Sequence, residues 1–533
     1  MSKKRFLIWI PFSLLLCYTL GMVGYEAMIS FVKYNVLRGV AGSDYIGLSN
    51  YERVFNMPAV MNGFVNSAVQ TLLYMLPALG IGMLLSFLLG LIPSRKFKSA
   101  VAGAALLAAL IPTIVLEQGV LNYINGVFAQ MRQMGFSFPI NAMSDPTASL
   151  MVSTLVNMIP QLALVVFAGL SLSISTGMSP WKGALIAGLL PMMTFFTPNY
   201  AVTRLVGNAL NQDVIVTVPQ LVFQYGMQNM QMSYAAALST TVRFMNIFAS
   251  VLPWLLIGLF VKGDAKKPRI REKRHSWGFE MLIALGVTFT LAMVYLFCQP
   301  AGDMNVTERY LNGTVVTVAS GFAVMFFAFL LCFLFITISR HAAGKTSFIF
   351  ALMLVLLTMM SNYLISGYMA FRNLGMINTV FSVVFGSLSN PIFLTILVLL
   401  LLQRPANMRQ AMFLTLGGAF IAAACCMGDY MPGYITATSS DARPLSTILQ
   451  LLINQGAGVA AQSDAASVAD AINACKFVLL VAVAVAAVPG VTFVMGGVGG
   501  VQSVKEIPVE EEPAPVEEEP AVDVDLFQGN NPF

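Results

Sequence analysis

Long apolar stretches alternate along most of the chain with short breaks rich in charge, Gly, Pro and Asn. A helix needs roughly 20 residues to cross a hydrocarbon core about 30 Å thick. Read at that length, the stretches predict twelve spans, at 6–31, 61–92, 100–121, 149–173, 183–200, 231–261, 278–298, 313–338, 348–366, 379–402, 411–433 and 475–500. The expected fold class is all-α, a polytopic membrane protein. The pattern ends at Val501. The stretch Glu510-Glu-Glu-Pro-Ala-Pro-Val-Glu-Glu-Glu-Pro520 is acidic, low in complexity and broken by proline, which predicts a disordered cytoplasmic tail.

Composition narrows the class. The 533 residues are 57% hydrophobic and 10% charged, against roughly 25% charged in soluble domains. A soluble enzyme, a nucleic-acid binder and a disulfide-stapled secreted domain are excluded as readings of the whole chain, and the lipid bilayer is its first partner. The net charge of +5 hides a strong asymmetry, because nine of the 24 acids lie between Glu506 and Asp525. If the N-terminus is cytoplasmic, 19 of the 29 bases fall on inside segments and nine on outside ones, with Arg243 inside a span. That bias predicts a cell-membrane protein with both termini cytoplasmic. The opening Met1-Ser-Lys-Lys-Arg also fits a cleaved leader, and Leu14-Leu-Leu-Cys17 a lipoprotein site. The apolar run continues to Phe31, however, which favours an uncleaved first span.

Six cysteines lie in or beside apolar runs without metal-binding spacing, and the two histidines, His275 and His341, lie in loops. No metal or other cofactor is expected. The chain lacks G-x-x-x-x-G-K-[ST], so it is not expected to be an enzyme, and any ATPase would be a separate protein.

Four echoes recur in the same order. Asn66-Ser-Ala-Val-Gln-Thr-Leu72 is matched by Asn312-Gly-Thr-Val-Val-Thr-Val318, and the basic loop at Ser94-Arg95 by that at Ser339-Arg340. Ile124-Asn-Gly-Val-Phe128 is matched by Ile377-Asn-Thr-Val-Phe381, and the pair Ala235 and Pro253 by Ala471 and Pro489. They divide the chain into a first half at 1–262, a basic linker at 263–277, a second half at 278–500 and the tail at 501–533. Six spans per half make the halves parallel, an arrangement that places a solute path at their interface.

Particular residues then resemble a family, the permease subunits of binding-protein-dependent ABC importers, in the oligosaccharide branch that includes the maltose type. Ile46-Gly-Leu-Ser-Asn-Tyr-Glu-Arg-Val-Phe55 looks like its (V/I)GLxNYxxxF segment, and Leu221-Val-Phe-Gln-Tyr225 with Tyr234-Ala-Ala-Ala-Leu238 like the entry to its last span. Gly428-Asp-Tyr430 stands where the partner permease has a Trp-Asn-Asp-Tyr-like motif. Arg443-Pro-Leu-Ser-Thr-Ile-Leu449 and Gly496-Gly-Val-Gly-Gly-Val-Gln-Ser-Val-Lys505 resemble its later loop and its ending. The resemblance covers nearly all of 1–505 as two fused permeases. It implies ATP-binding cassette ATPase subunits and an extracytoplasmic solute-binding protein as partners.

One departure stands out. The family's ATPase-docking helix carries Glu-Ala-Ala, yet Ser171 to Pro180 is about ten residues too short for it and holds no Glu. In the second half, Leu402 to Gln410 runs almost directly into the next span. Ser179, Trp181, Lys182, Arg404 and Arg409 are the residues left to dock an ATPase.

Ionisable residues inside spans are costly and mark functional positions. Asp429 with Tyr430 is the first candidate for the solute path, since a carboxylate beside an aromatic ring suits a sugar's hydroxyl edge and C–H face. The plain alternative for Asp429 is a hydrogen bond between helices. Arg243, Glu117 and Glu26 are the other candidates, with Arg243 and Glu117 expected to pair. The expected function is the transmembrane component of an ABC importer for a carbohydrate. The alternatives are a permease-derived scaffold without ATP coupling and a secondary transporter driven through Asp429 or Glu117.

Overall fold

The computed structural model describes residues 3–35, 37–263, 308–341, 364–403, 405, 407–459 and 465–499. Six helices among them are long and apolar enough to cross a membrane, and seven if one bent pair counts as a crossing. The chain is a helical multi-pass membrane protein. The expected spans at 278–298 and most of 348–366 lie outside the described residues.

Helix α1 (Lys3–Ser30) leads into a hairpin of β1 (Val32–Asn35) and β2 (Gly39–Tyr45), then α2 (Ser49–Asn56) and α3 (Pro58–Gly90). The hairpin is the exception to the all-α expectation. Gly39 turns it with φ +66°, and the Tyr34 amide ties it to the body of the protein by donating to Ser233 Oγ at 2.8 Å. Next come α4 (Arg95–Ala109), α5 (Thr113–Gln133), α6 (Pro146–Thr176), α7 (Pro180–Leu189), α8 (Tyr200–Val206), α9 (Gln212–Ile215), α10 (Val218–Phe223) and α11 (Met232–Gly263). The second part of the chain contributes α12 (Glu308–His341), α13 (Leu364–Asn373), α14 (Val380–Ser387), α15 (Pro391–Leu402), α16 (Met408–Gly428), α17 (Met431–Thr436), α18 (Leu445–Val459) and α19 (Ala465–Gly499).

Three expected spans are broken, each at a proline. The run at 100–121 becomes α4 and α5, which meet at 87° across Pro112, a residue that cannot donate to the helix ladder. The run at 183–200 yields only α7 and a 3-10 turn, Leu190–Thr194, because Pro191 and Pro198 interrupt it. The run at 379–402 divides into α14 and α15 at Asn390-Pro391. Non-helical backbone at membrane depth persists only where protein buries it or a cavity needs it, and these breaks converge on one place.

The largest apolar core joins both parts of the chain: Leu106, Phe167 and Ile186 from the first pack in one cluster with Phe335, Leu397, Ile421 and Val491 from the second. Helices α16 and α19 pack closely, because Gly417 lets the backbone of Gly490 and Val494 come within contact distance.

A local arrangement occurs twice. Ser67 Oγ accepts from the first amide of α10, Val218 N, at 3.0 Å. Gly63, one turn earlier, makes room for Leu221, whose Cδ1 lies 2.6 Å from where a Cβ would sit. Likewise Thr317 Oγ1 accepts from the first amide of α18, Leu445 N, at 2.8 Å, and Gly313 makes room for Ile448 Cδ1 where a Cβ would sit. Ser67→Ala and Thr317→Val each strip a partner from a buried amide. Each is expected to cost about 1–3 kcal/mol, read as a lower unfolding midpoint in detergent, with similar losses for the two.

Candidate functional site

A cavity of about 190 Å³ opens where the broken helices meet, lined by Asn199 and Tyr200 on one side and Ser382, Asn390, Asp429 and Thr436 on the other. A second chamber of about 100 Å³ shares Thr194, Thr197, Asn199, Asn390 and Pro391 with it and reaches to Tyr74, Asn157 and Gln161. The walls are amides, hydroxyls and apolar groups. Among the described lining residues, Asp429 is the one that carries a formal charge.

Three helix starts supply the polar groups. Asn199 caps α8, its Oδ1 accepting from Ala201 N at 3.1 Å. Asn390 caps α15, its Oδ1 accepting from Ile392 N at 3.0 Å. Asp429 Oδ1 accepts from Met431 N, the first amide of α17, at 3.0 Å. Its Oδ2 accepts from Asn390 Nδ2 at 3.2 Å. Each side chain satisfies an amide that a helix start leaves orphaned, and all three residues line the cavity. Asp429 therefore makes the expected hydrogen bond between helices and lines the cavity as well.

Tyr430 lies beside Asp429 in sequence but not in the cavity. It is buried, and its hydroxyl donates to Ala201 O at 2.8 Å, so it is a strut between α8 and the start of α17. Arg204, from α8, donates to Tyr434 Oη at 3.2 Å. The rings of Tyr200, Phe223 and Tyr434 lie in a row with centroids 5.7 and 5.9 Å apart. Of this cluster, Tyr200 lines the cavity.

The expected pairing of Arg243 with Glu117 is not formed. Arg243 Nη2 bonds Glu26 Oε2 at 2.8 Å with both side chains buried, because α11 packs on α1. Glu117, on α5, is fully buried elsewhere. It accepts from Gln118 Nε2 at 3.0 Å and lies under the electrostatic influence of Lys476 on α19. Neither Glu26, Arg243 nor Glu117 lines the cavity.

The loops read for ATPase docking are tighter than their sequence suggested. Helix α6 continues to Thr176, and only Gly177, Met178 and Ser179 separate it from α7, with Gly177 at φ +72° in the left-handed cap position. Trp181 is exposed and Lys182 half-buried. In the second part, five residues, 403–407, join α15 to α16. Arg409 is exposed, its guanidinium 5.6 Å from the centre of the Phe413 ring, and Arg404 lies outside the described residues.

Asn199, Tyr200, Arg204 and Asn390 were not singled out from sequence. The signal for them is the interruption of apolar runs by Pro198-Asn199 and Asn390-Pro391, since paired breaks in hydrophobic segments point to a binding site in transporters. No known protein-family model matches the chain, and no curated protein matches it in sequence.

Proposed function

We propose that the chain is the transmembrane permease component of an ABC-type importer for a carbohydrate, built as two parallel six-helix halves at 1–262 and 278–500. The observation that carries this reading is the polar cavity between α8 and the helices around Asp429, at the interface where parallel repeats place a solute path. The recurring arrangement of Gly63 and Ser67 with α10, and of Gly313 and Thr317 with α18, supports the repeat. It sets the register one helical turn from the echo between Asn66 and Asn312, aligning Asn62-Gly63 with Asn312-Gly313. ATPase subunits and an external solute-binding protein complete the assembly, with both termini of this chain on the ATPase side of the cell membrane.

A second reading has its own support. Connections of three and five residues leave no room for a docking helix, since one helical turn takes 3.6 residues, and this favours a permease-derived membrane scaffold without ATP coupling. The deciding experiment isolates the full chain with its native partners and measures ATP hydrolysis and uptake of labelled maltose and glucose in vesicles. The importer reading expects saccharide-dependent ATP hydrolysis and uptake, with uptake lowered about tenfold or more by Asp429→Ala, as for loss of a hydrogen bond to a charged group. An intact assembly that neither hydrolyses ATP nor takes up saccharide would overturn it in favour of the scaffold.

A further inference from the structure

The two sides of the cavity carry related dipeptides at helix starts. Asn199-Tyr200 spans the cap and first residue of α8, and Asp429-Tyr430 directly precedes α17. In both, the side-chain oxygen of the first residue accepts from the amide two residues on, Ala201 N at 3.1 Å and Met431 N at 3.0 Å. In both, the short helix packs on a residue just before a later helix, Thr217 before α10 and Pro444 before α18. Thr203 Oγ1 accepts from Thr217 Oγ1 at 3.4 Å, while Gly433 lies against Pro444 and Thr447. Both Asn199 and Asp429 line the one cavity.

We propose that Asn199 and Asp429 are equivalent positions of an internal repeat and together form a hydrogen-bonding pair for a single hydroxyl of the solute. This rests on the reading of the chain as a permease of two parallel halves. The chemistry follows from the atoms that capping leaves over. Asn199 Oδ1 is engaged by Ala201 N, so the amide presents its Nδ2 hydrogens, which only donate. Asp429, as a carboxylate, only accepts. A donor and an acceptor facing the same space match a hydroxyl, which accepts from the first and donates to the second; an ammonium group has nothing to accept with, and a carboxylate nothing to donate. Asn390 holds Asp429 Oδ2 at 3.2 Å, and the positive end of the 12-residue α15, which Asn390 caps, lies beside the carboxylate. Both offset its charge, so the site needs no cationic partner. The neutral hydroxyls and amides of the remaining wall extend the same preference.

The test uses the full chain in lipid nanodiscs, with Cys17 and Cys298 replaced by Ala and a single cysteine introduced as Asn199→Cys or Asp429→Cys. Both cysteines are expected to react with a small methanethiosulfonate reagent, and the same saccharide, among maltose, glucose and glucosamine, is expected to slow both reactions. Direct binding of that saccharide to the chain without introduced cysteines is expected to weaken about tenfold in Asp429→Asn. It is expected to return to within about threefold of the parent in the exchanged variant Asn199→Asp with Asp429→Asn, which keeps one donor and one acceptor. Protection of one cysteine without the other, or an exchanged variant no better than Asp429→Asn, would overturn the pairing. Protection of neither would overturn it too, even where vesicle uptake succeeds. Protection of both in a chain that takes up no saccharide would leave the pair standing and count against the permease reading alone.

Discussion

Arg243→Met is expected to destabilise the protein by about 3–5 kcal/mol, the usual consequence of breaking a buried ion pair by removing one member. Arg243 and Glu26 meet at 2.8 Å between α11 and α1, with side chains 3% and 0% exposed. Neither can reach water without parting the helices. Glu26→Gln alone leaves a buried guanidinium and should cost a similar amount. The combination of Glu26→Gln with Arg243→Met removes both charges and should recover most of the loss, since replacing a whole buried pair with uncharged side chains is often close to neutral. Unfolding midpoints in detergent for the two single variants and the double one give the result. A double variant as unstable as the sum of the singles would mean that the helices are held by something other than this pair.

The second large effect is steric. A Cβ on Gly417 would lie 2.6 Å from Val494 Cγ2, 2.7 Å from Val494 N and 2.9 Å from Gly490 O. Two of those three atoms are backbone of α19, which cannot rotate away as a side chain can. Gly417→Val should therefore push α16 from α19 and cost about 1–3 kcal/mol or more by overpacking. Association of helices in lipid rests largely on such close approach of small residues. Gly496→Ala is the control. It lies on the same helix α19, a Cβ there meets nothing within 4 Å, and alanine's higher helix propensity should leave stability unchanged or raised by up to about 1 kcal/mol. Thermal unfolding of the two variants side by side separates contact from propensity. Equal behaviour would show that α16 and α19 are not held in backbone contact at Gly417.

Hydrophobic run length made the membrane class and most of the long helices legible, because the bilayer imposes one length on any helix that crosses it. It failed where a run was long enough but contained a proline at the wrong depth. Pro112, Pro191 and Pro391 each divided an expected span, and an average over twenty residues does not register a single missing amide. The site was half legible. Asp429 stood out as a charge in an apolar run, and it lies at the cavity. Asn199 and Asn390 carry no charge and fall inside the expected spans at 183–200 and 379–402, so nothing marks them until the fold brings their helix starts together. Tyr430 drew notice for its neighbour, yet its hydroxyl serves the backbone of α8. The partner of Arg243 was illegible for a different reason. Spacing along a chain says which residues share a helix face but not which helices adjoin, and three acids in apolar runs were available to one arginine. The hairpin after α1 escaped notice because its strands, of four and seven residues, are too short and mixed to show a period of two.

The short helix α4 bears on how the protein is made. Its 15 residues extend about 22 Å, less than the hydrocarbon thickness, and at Pro112 the chain turns by 87° instead of continuing along the same axis. Its neighbours are α6 and α19, and α19 is the last helix described. A segment synthesised within the first fifth of the chain therefore waits for the final one before its flank is covered. During biogenesis, α4 should remain with the insertion machinery or a chaperone until translation has passed residue 499. A nascent chain halted before 465 should expose it to quality-control proteolysis, while one halted after 499 should not.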